Sequence, residues 1–308
     1  MANPLHADFY ADQAVQRTAT IIDNQKMAEG TFRVRFKCPE MAKVALPGQF
    51  LMLRINDRND PLIGRPLAFY DILPDESGEP SLIDVMYIVK GNLTSRLVDC
   101  QPGEKVDIWG PLGNGFEPID TDHLGMGAGG IGQTPFLCLA KEYLGTQSFG
   151  RELASASKIT FCYGARRNDL LAGVEDFEAL GIDVRLCTDD GSLGHHGLVT
   201  DLLTQVINER PDGSTMQVVC CGPEPMMEAV AAVSSQHDIP CRVSLETPMA
   251  CGIGICVHQT SLCRLPQSVV EICSHGPRAA ASSAGSPRPL TARGMRRRSR
   301  RRREVGAP

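Results

Sequence analysis

Four cysteines, Cys251, Cys256, Cys263 and Cys273, fall within 23 residues of a 308-residue chain. Cys251-x4-Cys256 opens the C-x4-C-x2-C…C spacing with which thiolates hold a [2Fe–2S] cluster. Four thiolates are needed to bind and charge-balance the irons, and the intervening Gly252 and Gly254 let a loop wrap a cluster and aim N–H groups at its sulfurs. The third thiolate of that spacing falls at 259, where the chain has Gln259, and Cys263 follows four residues later. A second group is Gly127-Ala128-Gly129-Gly130-Ile131-Gly132-Gln133-Thr134-Pro135. Glycines allow a phosphate close to the backbone, and a following helix offers free N–H groups. Thr134 as cap and Pro135 in the first turn are expected to start that helix. Cys221-Gly222-Pro223 and Arg65-Pro66-Leu67-Ala68-Phe69-Tyr70 complete the set. An arginine can clamp a pyrophosphate through two hydrogen bonds. Taken singly, the glycine run reads equally well as a structural turn, Cys221–Pro223 as an ordinary strand-to-helix turn, and Arg65 as a surface arginine. His195-His196 have no third ligand at useful spacing and read as solvated loop residues.

Two kinds of element surround these residues. From 17 to about 118 the chain reads as short strands with frequent turns. Thr31 to Phe36 alternates strictly, 48–53 and 83–89 are further strands, and Pro47-Gly48, Pro102-Gly103 and Pro111-Leu112-Gly113 punctuate them. That spacing predicts a small antiparallel barrel. Beyond 120, apolar strands at 159–163, 183–187 and 217–221 are separated by helical stretches at 135–143, 174–180, 198–208 and 225–235. Strands alternating with helices predict a parallel sheet, here over 119–243. The organisation expected is an extension at 1–16, a barrel at 17–118, the α/β domain at 119–243, a cysteine segment at 244–277 and a disordered tail at 278–308. No rhythm of strands or helices is expected after Pro248.

Composition bounds the function. Apolar residues make up 42% of the chain and charged residues 22%, as in an ordinary globular protein. No apolar run reaches the roughly 18 residues of a membrane span, and Met1 to Gln16 lacks the basic and apolar regions of a secretory signal. A cytoplasmic location without membrane contact is therefore expected. The tail from Arg278 carries ten Arg and one Glu, leaving the first 277 residues with 21 Lys+Arg against 35 Asp+Glu. Such a tail attracts phosphate backbones without specificity, but nothing else favours nucleic-acid recognition, and no nucleic-acid partner is expected. The other eight cysteines lie mostly in apolar runs and read as buried small hydrophobes.

Taken together and in this order, the arginine strand, the Gly-Gly-Ile-Gly turn and the Cys-Gly-Pro turn resemble the ferredoxin reductase-like flavoprotein family. The resemblance covers roughly 17–277. It implies an FAD-binding barrel, with Arg65, Pro66, Leu67 and Ala68 on the flavin. It also implies an NADH-binding Rossmann-like domain using Gly129, Gly130, Gly132, Thr134, Cys221, Gly222 and Pro223. Ala68 stands where the family prefers a hydroxyl. Within the family, 87–94, 110–116, 188–192 and above all Glu246 to Cys256 are similar to the electron-transfer subunits of two-subunit bacterial dihydroorotate dehydrogenases. By that likeness Met86, Tyr87, Ile88, Leu93 and Thr94 line the FAD, with Leu93 in place of a usual glycine. Asp189 accepts from the ribose of NADH and repels a 2′-phosphate.

The resemblance further implies a path between NAD(H), FAD, a [2Fe–2S] cluster and an FMN-containing catalytic subunit that oxidises dihydroorotate in pyrimidine biosynthesis. Two copies of each subunit are expected, and no general acid, base or nucleophile on this chain. The cluster ligands would be Cys251, Cys256, Cys263 and Cys273, the last resembling the family's Cys-x-x-Gly-Pro turn. The chain after 256 departs from the family, and its composition is that of GC-rich DNA read out of frame. A shifted reading frame near 257–262 and again after Pro277 is one expectation; Cys263 as substitute ligand, or loss of the cluster, is the other. Two further functions stay open: a reductase subunit serving ferredoxin or a sulfur compound, and an inactive binding protein.

Overall fold

The computed structural model describes residues 13–56, 61–152 and 154–245, Gly252, and the backbone of 269–273. Among these, six strands close an antiparallel barrel in the order β1-β2-β5-β4-β3-β6: β1 (Val15–Ala28), β2 (Thr31–Lys37), β3 (Phe50–Ile55), β4 (Arg65–Pro74), β5 (Pro80–Ile88) and β6 (Lys105–Leu112). The alternation read in β2 has its physical outcome here. Val34 and Phe36 point into a fully buried core with Leu51, Ile83, Val85 and Ile108. Alternating with them, Arg33 and Arg35 turn outward, and Arg35 donates to both oxygens of Asp84 at 2.7 and 2.8 Å. The short helices α1 (Pro39–Ala42) and α2 (Asn92–Leu97) add Met41, Ala42, Leu93 and Leu97 to the same core.

A parallel sheet follows. Its strands are β7 (Thr121–Gly129), β8 (Ala156–Ala165), β9 (Asp183–Thr188), β10 (His195–His196), β11 (Met216–Cys221), β12 (Cys241–Leu245) and β13 (Val269–Cys273). Among the described residues their order is β10-β9-β8-β7-β11-β12-β13. Helices α3 (Phe136–Tyr143) and α4 (Val174–Glu178) cover an aromatic face, where Phe161 stacks on Phe177 with ring centres 4.1 Å apart. Helices α5 (Val199–Asn208) and α6 (Glu224–Gln236) cover the other face, where Val230 of α6 joins Val218 and Val243 of the sheet in one buried cluster.

The structure departs from the sequence reading at four places. His195-His196 form a two-residue strand beside Cys187 and Thr188 rather than a loop. Strand β13 pairs with β12 within the segment expected to lack rhythm. Its five residues are too few to show a period, and a parallel edge strand needs only backbone partners. The barrel begins at Val15, inside the expected extension. The glycine run passes through a tight 3-10 turn, Gly130–Gln133, so α3 starts at Phe136 with Pro135 before it, and Thr134 does not cap. The expected tail lies outside the described residues, and among those described no helix is long and apolar enough to cross a membrane.

The barrel and the sheet are joined by polar contacts through an apolar seam. Lys141 on α3 donates to both oxygens of the buried Asp71 on β4 at 2.6 and 2.7 Å. The Tyr70 hydroxyl donates to Asp176 of α4. Gln147 donates to the Ile72 carbonyl, and Arg242 on β12 donates to the Glu117 carbonyl. Arg151 reaches across to the Phe116 carbonyl at 2.6 Å and grips the fully buried Glu142 through Nε and Nη2 at 2.7 and 2.6 Å.

At the N-terminal edge of the sheet, His123 is 4% exposed and its Nε2 lies 2.9 Å from Thr160 Oγ1. That hydroxyl donates to Asp183, so it accepts from His123, which fixes a proton on Nε2. Burial, with Lys158 nearby, pushes the His123 pKa down to about 4. The unfolded chain, with a free histidine near 6.5, takes up a proton the folded chain refuses. This contribution is therefore complete above pH about 6.5 and is lost as pH falls toward 4. At about 1.4 kcal/mol per pH unit, roughly 2 kcal/mol should vanish between pH 7 and 5. Urea unfolding of the wild type and His123→Gln at both pH values checks this. An equal loss in the two proteins would assign the pH dependence elsewhere.

Candidate functional site

The order of the sheet reverses at β7. Strands β8, β9 and β10 lie to one side of it, and β11, β12 and β13 to the other. Ligands of open α/β sheets bind outside the carboxyl ends of the strands at such a reversal. Here the carboxyl ends are Gly127–Gly129 on β7 and Cys220–Cys221 on β11, aligned so that Cys221 faces Ala128. Both turns beyond these ends are packed backbone to backbone. A Cβ on Gly132 would stand 2.2 Å from the Cys221 carbonyl oxygen, and one on Gly222 would stand 3.0 Å from the Gly129 nitrogen. Gly130, at φ +55°, has open space in front of its Cα and leaves its backbone accessible.

Two cavities meet at this edge. One, of about 520 Å³, is walled by Gly129, Gly130 and Pro223 from the turns, Arg166 and Asp189 from the ends of β8 and β9, and Thr200 and Met226 from the helices behind. The other, of about 490 Å³, lies between barrel and sheet. Its barrel wall is Arg65, Pro66, Leu67, Ala68, Met86, Tyr87, Ile88, Leu93 and Thr94, and its sheet wall includes Gly132, Thr134, Cys221, Ser244 and Leu245. Ile88 and Ile131 line both cavities. The glycine-rich turn is thus divided: Gly129 and Gly130 face the first cavity, Gly132 and Thr134 the second. Gly222 sits between a residue of each.

The polar groups on these walls differ in how they are engaged. Arg65 is exposed, and its Nη1 donates to the Ile63 and Gly64 carbonyls at 3.2 Å each. It makes no ion pair among the described residues, so its charge is available at the cavity rim. The Tyr87 ring turns into the barrel, stacks on Phe32 with centres 5.9 Å apart, and donates to Asn24 Oδ1 at 2.9 Å. The Thr94 hydroxyl accepts from the Lys90 and Gly91 N–H groups at 3.0 and 3.1 Å, closing the start of α2 against the cavity.

Wall residues that sequence reasoning missed are Arg166 and Thr200 in the first cavity, and Phe50, Ser244 and Leu245 in the second. Arg166 was open to detection, because it follows the carboxyl end of a strand already read as such.

Seven of the eight scattered cysteines are buried and Cys221 is partly so. Burial pushes the thiols of Cys162 and Cys187 up to about 12 and 11, which keeps them inert. Of the clustered cysteines, Cys251, Cys256 and Cys263 lie outside the described residues. Cys273 ends β13, in register with Leu245 of the second cavity. Gly252, next to Cys251, has φ +77° and fits against Met52 and Leu112, which a Cβ would approach to 2.6 and 2.9 Å. Met52 and Leu112 in turn pack with Phe50, a wall of the second cavity.

A closed barrel and a reversed parallel sheet, sharing cavities at glycine-lined strand ends, define an oxidoreductase of the flavin- and nicotinamide-binding type. Residues 18–116 match the oxidoreductase FAD-binding domain and residues 126–232 the oxidoreductase NAD-binding domain. The chain is 31% identical over 259 residues to the dihydroorotate dehydrogenase B (NAD(+)) electron transfer subunit of Desulforamulus reducens, covering 84% of this chain and 89% of that protein. It is 33% identical over 267 residues to the subunit of the same name from Geobacillus thermodenitrificans, covering 84% and 94%. A solved NADH-dependent reduced ferredoxin–NADP oxidoreductase superposes with a TM-score of 0.64 at 28% identity, covering 77% of this chain and 79% of that one. A phthalate dioxygenase reductase, at 19% identity and a TM-score of 0.52, shares the fold. The chain belongs to the family of dihydroorotate dehydrogenase B (NAD(+)) electron transfer subunits. It is an electron-transferring oxidoreductase with FAD and NAD(H) as its nucleotides.

Proposed function

We propose that this chain carries electrons between NAD(H) and an FMN-containing catalytic subunit that converts dihydroorotate to orotate, in a cytoplasmic assembly with two copies of each subunit. The observation that carries the reading is the pair of adjoining cavities with Ile88 and Ile131 common to both. Two nucleotides held there meet at a short apolar wall that keeps water from the contact.

The residues present suit FAD in the second cavity. Arg65 offers a guanidinium without a carboxylate partner among the described residues, suited to a pyrophosphate. Pro66, Leu67, Met86, Ile88 and Leu93 form an apolar face for a ring system, and Thr94 marks its limit. Gly129, Gly130 and Pro223 hold the nicotinamide nucleotide in the first cavity, with Asp189 at its ribose. FAD held by these residues would supply the chemistry of hydride acceptance from NADH and of single-electron release to a one-electron carrier. Cys251, Cys256, Cys263 and Cys273 are proposed as ligands of a [2Fe–2S] cluster, with Gly252 and β13 anchoring the two ends of their segment beside the flavin wall. Gly132, Thr134 and Cys221 shape the common edge and take no part in proton transfer.

The experiment is an absorption spectrum of protein purified without air, with iron and acid-labile sulfide assayed on the same sample. Flavin bands with a cluster shoulder, both bleached by NADH, are expected. Flavin without iron would overturn the cluster and leave a reductase without its outlet. Co-purification with an FMN protein separates this partner from delivery to ferredoxin, which the likeness to the NADH-dependent reduced ferredoxin–NADP oxidoreductase favours as the alternative. Arg65→Ala removes a charge-assisted contact worth about 1.5–3 kcal/mol, so FAD should dissociate roughly ten- to a hundredfold more readily. Flavin retained after gel filtration at the wild-type ratio would remove Arg65 from the site.

A further inference from the structure

The first cavity carries three charged residues on its wall: Glu29, Arg166 and Asp189. Glu29 is engaged, accepting from Lys26 Nζ at 2.6 Å. Neighbouring charges are engaged as well. Arg167 forms a two-bond pair with Asp169 at 3.1 and 2.8 Å, and Asp190 turns back on its own loop to accept from the Ser192 N–H at 3.0 Å. Arg166 and Asp189 stand apart from this pattern. Both are exposed, and neither side chain has a hydrogen bond or ion pair among the described residues. The backbone nonetheless holds them together. Ala165 pairs with Thr188 at the ends of β8 and β9, and the Asp189 and Asp190 N–H groups donate to the Ala165 and Arg166 carbonyls at 3.1 and 3.2 Å. An unpaired cation and an unpaired anion therefore emerge side by side at the end of the sheet where the ribose of a dinucleotide is read.

We infer that Arg166 and Asp189 act as an opposed pair that sets the choice between NADH and NADPH. Asp189 excludes the phosphorylated ribose by repulsion, while Arg166 is already placed to receive a 2′-phosphate once that carboxylate is gone. The cavity is thus one charge away from accepting NADPH, and Arg166 is the specificity-determining residue behind the change. This rests on the reading of the first cavity as the NAD(H) site.

The test measures binding of two adenosine nucleotides, 5′-AMP and 2′,5′-ADP, to the flavin-loaded protein by calorimetry. The proteins are the wild type, Asp189→Asn and Asp189→Asn with Arg166→Ala. Reduction of the bound flavin by NADH and NADPH is followed alongside. Asp189→Asn should tighten 2′,5′-ADP at least about tenfold relative to 5′-AMP, as expected when a unit charge a few ångströms from a phosphate is removed. Preference for NADPH should rise in parallel, and the double variant should lose both gains. Binding of 5′-AMP by the wild type with no gain in Asp189→Asn overturns the inference alone, as does a gain that survives Arg166→Ala. Failure of the wild type to bind 5′-AMP overturns the placement of the nucleotide, and the inference with it.

Discussion

Gly132→Ala should lower NADH-driven reduction of the bound flavin by at least about a hundredfold. The reason is distance rather than backbone freedom, since Gly132 does not adopt a left-handed conformation. Its Cβ would lie 2.2 Å from the Cys221 carbonyl oxygen and 2.7 Å from the Gly222 nitrogen, both backbone atoms that cannot swing aside. Two turns would have to part by about an ångström at the edge where the two cavities meet, and a shift of that size in bound reactants costs about a hundredfold in rate. Neighbouring glycines provide the comparison. A Cβ at Gly129 meets the flexible end of Met226 at 2.7 Å and the Pro223 ring at 2.9 Å, side-chain atoms only, and one at Gly130 meets nothing within 4 Å. Gly130→Ala should carry only the roughly 1–2 kcal/mol of a left-handed alanine. Stopped-flow bleaching of flavin by NADH in the three variants ranks them. Near wild-type rates in Gly132→Ala would show that the turns are not held as tightly as their packing implies.

The largest effect on stability is expected from Arg151→Met. Glu142 is fully buried on α3, and both its oxygens accept from Arg151. Removing the guanidinium leaves a carboxylate inside the protein without a counter-charge, a change that typically destabilises by about 3–5 kcal/mol. It also removes the donor to the Phe116 carbonyl, at the crossing from barrel to sheet. In a domain of this size the loss corresponds to a melting point lower by roughly 10 °C. Adding Glu142→Gln should restore much of it, because a neutral amide is far cheaper to bury than a lone charge. A single variant that melts with the wild type would mean water reaches Glu142. A double variant no better than the single would mean that the Phe116 contact dominates.

How far the sequence foretold this molecule depended on which physical signal each element left. Strand β2 was legible because its alternation of Val34 and Phe36 with Arg33 and Arg35 is the direct image of a half-buried surface. Strand β7 was not. Its sequence holds Gly125, Gly127 and Gly129, residues that weaken a strand on its own. In the sheet they make room, as a Cβ at Gly125 would meet Met216 at 2.8 Å. The requirement came from neighbours about ninety residues away, which no local pattern reveals. Thr134 misled for a related reason: its position before a proline resembles a cap, but the tight turn before it leaves Thr134 in helical geometry, at φ −57° and ψ −39°, rather than the extended conformation a cap adopts. Among the wall residues, Arg65 and Asp189 stood out by motif. Ser244 and Leu245 did not, because they reach the second cavity only through the sheet order that sets β12 beside β11.

The seam between barrel and sheet has a consequence for how the molecule comes apart. Its links come from β4, α3, α4 and β12, and the Lys141 link ends on the buried Asp71. Neither half can open without stranding charge belonging to the other. The two nucleotide sites are then poor candidates for separate modules: cutting the chain between them would leave two fragments, each with an exposed apolar wall and orphaned ions. The two halves should therefore melt together, and a destabilising change on one side should weaken the ligand on the other.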